Sequence, residues 1–115
     1  MENLELPTAP GIENSSSPFN LKVDLHNVKK AALVLRAINH KLRQQILKLI
    51  EENSRMTVTE IYVKLRLEQS VASQHLAILR KAGFVKTERD GKFIYYSVNN
   101  DRLEELNKFV QDLVG

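Results

Sequence analysis

Apolar residues recur at helical spacing in several stretches of this chain, and near its end the spacing changes to that of a strand pair. From Leu21 to Ile38, Leu25, Val28, Ala32 and Leu35, with Ala31 or Ile38, return every three or four positions. Leu33, Val34 and Val23 widen that apolar surface beyond one face. A helix so apolar in a small protein is expected to hide its second face in a partner subunit, the alternative being the buried central helix of a monomer. Asn39 is expected to cap a second helix running to about Asn53, with Leu42, Ile46, Leu49 and Ile50 inward and Lys41, Arg43, Gln44 and Lys48 outward. Thr57-Val-Thr-Glu60 reads as a capping box, in which hydroxyl and carboxylate each satisfy the other residue's backbone N–H. It opens a third helix carried by Val58, Ile61, Tyr62, Leu65 and Leu67, and after a tight turn a fourth runs from Gln69 to Ala82. A last helix, from about Asp101 to Val114 with Asn100 or Asp101 as cap, aligns Leu103, Leu106, Val110 and Leu113.

The two faces of the fourth helix differ in kind. Ala72, Leu76, Leu79 and Gly83 share a narrow sector, while Ser70, Ser73, Gln74, Ala77 and Lys81 lie on or near the opposite side. Short and amide side chains let a backbone approach base edges in a DNA major groove and then offer them donors and acceptors. A solvated helix face would carry more Glu and Lys. Beyond it, Phe84 to Arg89 and Lys92 to Val98 flank Asp90-Gly91, a pair that tolerates the positive φ a tight hairpin requires. Arg89 and Lys92 then sit at the hairpin tip, where they suit phosphates or the minor groove. Two short helices joined by a tight turn, followed by a basic hairpin, predict a mainly α fold with a small β-hairpin wing: a winged helix-turn-helix with the wing between the fourth and fifth helices.

Charge sharpens this picture. The net charge is +3, but residues 1–20 contain Glu2, Glu5 and Glu13 and no Lys or Arg, so residues 21–115 carry +6. The basic part is the part with periodicity, as a polyanion binder requires. Residues 1–20, with Pro7, Pro10, Pro18 and the run Ser15-Ser16-Ser17, show none and are read as a disordered tail, leaving 21–115 as a single domain. The absence of cysteine excludes disulfides, thiolate metal sites and thiol chemistry. Without a secretory leader pattern or a long apolar span, the chain is read as cytoplasmic and independent of membranes.

In this order the elements resemble the ArsR/SmtB family of winged-helix repressors, over roughly residues 24–113. The most specific match is Gln69-Ser-Val-Ala-Ser-Gln-His-Leu-Ala-Ile-Leu-Arg-Lys-Ala-Gly-Phe-Val85, similar to the family's recognition helix and the start of its wing, with Lys92-Phe-Ile-Tyr-Tyr-Ser-Val98 similar to the second wing strand. The resemblance implies a homodimer paired through its first and last helices, bound to an inverted-repeat operator and released by an inducer, here an unknown small molecule if there is one. Where relatives carry metal ligands, this chain has Thr57 and Thr59 or Asn100, Arg102 and Leu113, which make poor ligands. No metal or cofactor is expected.

The expected DNA contacts are therefore Gln69, Ser70, Ser73 and Gln74 at base edges or adjacent phosphates, with Gln74 best suited to adenine. Lys81, Arg89 and Lys92, and more weakly Arg80, are expected at phosphates or the minor groove. His75 is read as a boundary residue, its ring packed inward yet able to donate to a phosphate, and His26 and His40 as unpaired surface or interface residues. A protein-interaction module that turns its basic wing to an acidic partner is the alternative function. No nucleotide loop, nucleophile arrangement or carboxylate pair speaks for an enzyme.

Overall fold

The computed structural model describes residues 22–115, so the tail over 1–20 lies outside the described residues. Its elements are α1 (Leu25–Ile38), α2 (Lys41–Glu52), α3 (Val58–Leu65), α4 (Gln69–Lys81), β1 (Val85–Asp90), β2 (Phe93–Val98) and α5 (Asn100–Val114). The chain divides into two compact units, one ending at Ala31 and one running from Ala32 to Gly115. In the first, Asp24 starts α1: its carboxylate accepts from the backbone N–H groups of His26 and Asn27, at 3.0 and 3.3 Å, satisfying donors that the first helical turn leaves free.

In the second unit the core forms where the apolar stripes of α2, α3 and α4 converge. Ile46, Ile50, Ile61, Leu76, Leu79 and Phe84 are fully buried, joined by Ala37, Leu47, Leu49, Met56, Val85 and Val98. Each such Ile, Leu, Val, Met or Phe side chain contributes on the order of 1.5–3 kcal/mol when removed from water. By contrast, α5 buries none of its residues completely: Leu103 and Leu106 pack against the core, while Phe109 and Leu113 are 46% and 67% exposed. Leu33 of α1 is likewise 55% exposed.

Helix ends are set by local chemistry. Thr57 and Glu60 form the full capping box, at 3.2 Å from the Glu60 N–H to the Thr57 hydroxyl and 2.8 Å from the Thr57 N–H to the Glu60 carboxylate. The end of α4 is a Schellman motif, in which the Gly83 N–H donates to Arg80 O and the Phe84 N–H to Leu79 O while Gly83 takes φ +87°. The end of α3 makes the same pairing, Arg66 to Val63 and Leu67 to Tyr62, although the residue at φ +58° is Arg66. Leu67 thus falls in the turn and α3 stops at Leu65.

Two expected caps are corrected. The Asn39 N–H closes the last turn of α1 on Leu35 O, so His40 becomes the extended residue before α2 and makes no side-chain cap. At α5 the cap is Asn99, whose side-chain oxygen accepts from the Arg102 N–H at 3.3 Å. Its amide nitrogen donates to Gly83 O at 3.0 Å, joining the start of α5 to the end of α4.

The hairpin turn also moves by one residue. Asp90 pairs with Phe93, so the two-residue loop is Gly91-Lys92 and Asp90 ends β1. Only Gly91, at φ +65°, enters the left-handed region there, as a turn with Gly at its first central position requires, so Asp90 need not. On the far side of β2, Met56 and Tyr96 exchange both backbone hydrogen bonds, at 3.0 and 2.7 Å, which ties the wing to the segment before α3.

Candidate nucleic-acid interface

Because Ala72, Leu76 and Leu79 are buried, α4 turns its other side to solvent. Gln69, Ser70, Ser73, Gln74, Ala77, Arg80 and Lys81 are exposed, and Ser70, Ser73, Gln74, Ala77 and Lys81 form a continuous face of small, amide and basic side chains. His75 is half-buried on the flank of that helix.

The wing carries Lys86, Arg89 and Lys92, all exposed. Arg89 lies opposite Ile94 on β2, and the Lys92 ammonium sits 5.4 Å from the Phe93 ring centre. Two carboxylates, Glu88 and Asp90, stand among these cations. Arg55, just before Met56, lies 3.0 Å from Asp90 and 3.8 Å from Glu88, with its guanidinium 3.9 Å from the centre of the Tyr95 ring. Its hydrogen bond to Asp90 holds Arg55 above its ordinary pKa. Arg55 therefore draws the wing's negative charges onto one spot and braces the hairpin against the α2–α3 connection.

Arg43 corrects the expected orientation of α2. It is only 7% exposed, the one buried charged side chain among the described residues. Its Nε donates to Ala37 O at 2.6 Å and one terminal nitrogen to Arg36 O at 3.0 Å, so a cation closes the C-terminal carbonyls of α1 where the helix dipole favours it. The other terminal nitrogen lies 3.2 Å from Nδ1 of His75. His40, expected to be unpaired, packs its ring 4.9 Å from that of His75. Burial pushes the His75 imidazolium toward deprotonation, and electrostatic repulsion from His40 and Arg43 adds to the shift.

Comparison with known proteins gives this arrangement a lineage. Residues 40–87, from the start of α2 into β1, match the family described as bacterial regulatory protein, arsR family. An HTH-type transcriptional regulator of Methanocaldococcus jannaschii is 38% identical over 89 residues, covering 77% of this chain and all of that protein. The chain belongs to the arsR family. Transcriptional activator HlyU of Vibrio cholerae is 32% identical over 97 residues, covering 84% of this chain and 89% of its own length. Among solved structures, the transcriptional repressor PagR of Bacillus anthracis superimposes with a TM-score of 0.60 at 32% identity, covering 76% of this chain and 99% of that one. NolR from Sinorhizobium fredii gives 0.64 at 32% identity, covering 79% and 90%.

This arsR-family chain is thus a winged helix-turn-helix transcriptional regulator of the DNA-binding class. Of the residues singled out from sequence, Ser70, Ser73, Gln74 and Lys81 share one exposed face of α4, with Gln69 and Arg80 on its edge, while Arg89 and Lys92 lie on the wing. His75 stands apart from both, held by Arg43. Lys86 and Arg55 were missed, while Arg43 was read as outward and His40 as unpaired. Lys86 lies on the strand of β-rich residues before the Asp-Gly signal, so its alternation could have revealed it. The side-chain partners of Arg43 and Arg55 are far away in sequence, His75 for Arg43 and Asp90 for Arg55, and no local pattern marks them. Among the described residues, no group of three His, Asp or Glu side chains could hold a metal, and no helix is long and apolar enough to cross a membrane.

Proposed function

We propose that this regulator is a repressor that binds an inverted-repeat operator as a homodimer, reading base edges with α4 and gripping the phosphate backbone with its wing. The observation that carries the reading is the exposed small and amide face of α4 next to a hairpin with Lys86, Arg89 and Lys92. Gln69, Ser70, Ser73 and Gln74 take the base edges and nearby phosphates, while Arg80, Lys81, Arg89 and Lys92 take the backbone or the minor groove, with His75 donating to a flanking phosphate. The homodimer is supported by α5, whose apolar stripe has no fully buried residue, and by the exposed Leu33 of α1. In such a dimer the two α4 helices stand about one DNA turn apart, roughly 34 Å. Repression agrees with the name of the relative PagR. The test is selection of bound duplexes from a random pool: a two-fold symmetric consensus, bound with a steep loss of affinity as salt rises, is expected. Recovery of no consensus would refute the reading, and an asymmetric single site would refute the dimer.

A further inference from the structure

A buried arginine with no carboxylate beside it needs a reason to be there. Arg43 has three partners: two carbonyls at the end of α1 and Nδ1 of His75 on α4. A guanidinium can only donate hydrogen bonds, so Nδ1 must be the bare nitrogen of the ring and the proton of neutral His75 sits on Nε2. Nε2 has no hydrogen-bond partner among the described residues, although the ring is half-buried and its orientation is held from one side by Arg43 and from another by the His40 ring. The groups around it are positive or neutral. Arg36 and Lys41 are exposed on the chain segments that carry Ala37 and His40, and no carboxylate is bonded to Arg36, His40, Lys41, Arg43 or His75 among the described residues. A fixed donor without a partner, set among cations, matches an oxygen of a DNA backbone phosphate.

We infer that Arg43 is a positioning residue for DNA recognition: from inside the fold it selects the Nε2–H form of His75 and aims that donor at a backbone phosphate beside the groove read by α4. The inference rests on the DNA-binding reading above. Arg43 itself touches no DNA. It works through the tautomer and orientation of another side chain, so its loss and the loss of the outward donor have one and the same effect.

Amide substitutions separate the two ring nitrogens. The side-chain nitrogen of Gln reaches the position of Nε2, whereas that of Asn stays near Nδ1. Binding to the selected operator is measured for wild type, His75→Gln, His75→Asn, Arg43→Met and the double variant Arg43→Met/His75→Asn. His75→Gln is expected to stay within about threefold of wild type and His75→Asn to lose about tenfold, the scale of one hydrogen bond to a charged group. The double variant should bind no more weakly than Arg43→Met, because both changes remove one contact. Equal losses for Gln and Asn, or losses that multiply in the double variant, overturn the inference. The nitrogen-15 spectrum of the histidine rings in the free protein gives a readout that needs no DNA and no folded Arg43 variant: wild-type His75 should carry its proton on Nε2 alone at neutral pH. A proton on Nδ1 overturns the inference while leaving the operator reading intact, and failure of wild type to bind any selected duplex overturns both.

Discussion

His75 is half-buried beside the Arg43 guanidinium, and that has a consequence for stability. Burial first, then His40 and Arg43, lower its pKa below the ordinary value near 6.5. The unfolded chain therefore takes up a proton more readily than the folded one, and stability falls as pH drops below that ordinary value. Urea unfolding at pH 7.5 and 5.5 should show a larger loss for wild type than for His75→Gln, and equal losses would contradict the shift. On the face of α4 proposed to read bases, Gln74→Ala should lower affinity by about 1–3 kcal/mol at one base position, while Lys92→Ala should weaken all duplexes alike. Binding measured across single-base variants of the operator distinguishes the two, and an unchanged base preference in Gln74→Ala would remove Gln74 from base reading. At this scale the sequence disclosed the residues of α4 well, because helical spacing alone sorts Ser70, Ser73 and Gln74 from Ala72, Leu76 and Leu79. It misplaced Arg43, since a polar residue at a boundary position is read as outward unless its acceptors, here the carbonyls that α1 leaves open, are known.

At the level of elements, two chain reversals of the same geometry are filled by different residues. Gly83 ends α4 at φ +87°, and a Cβ there would come within 3.3 Å of the Arg102 side chain, which itself donates to Ala82 O at 3.2 Å. Gly83→Ala should cost about 1–2 kcal/mol of stability through the left-handed backbone. Arg66 adopts the same region without being glycine, so Arg66→Gly should raise stability by roughly 0.5–1 kcal/mol. Thermal unfolding of both variants tests the pair, and shifts of the same sign would contradict the account. Apolar periodicity and the Thr57-Glu60 box placed all five helices. Boundaries moved by a residue where a competing bond intervened: the Asn39 N–H is taken by Leu35, and Asn99 precedes the residues favoured as cap because its amide also reaches Gly83. The Asp-Gly signal located the hairpin correctly but put its turn one residue early, because the Asp90–Phe93 pairing leaves Lys92 inside the loop.

For the molecule as a whole, the unfilled stripe on α5 is the feature that asks for a second copy. Leu113→Glu together with Phe109→Glu should give a monomer by sedimentation equilibrium and weaken operator binding severalfold or more, since each half-site is then held alone. A variant that stays dimeric would exclude α5 from the interface. Arg43 has a different consequence at this scale. It fastens the end of α1 to the flank of α4, so in the proposed dimer the two reading helices are separated as if by a rigid ruler. One base pair inserted at the centre of the operator displaces the half-sites by about 3.4 Å and turns them by roughly 34°. A stiff frame cannot follow that change, and the spacing between half-sites should be as sharply selected as the bases within them.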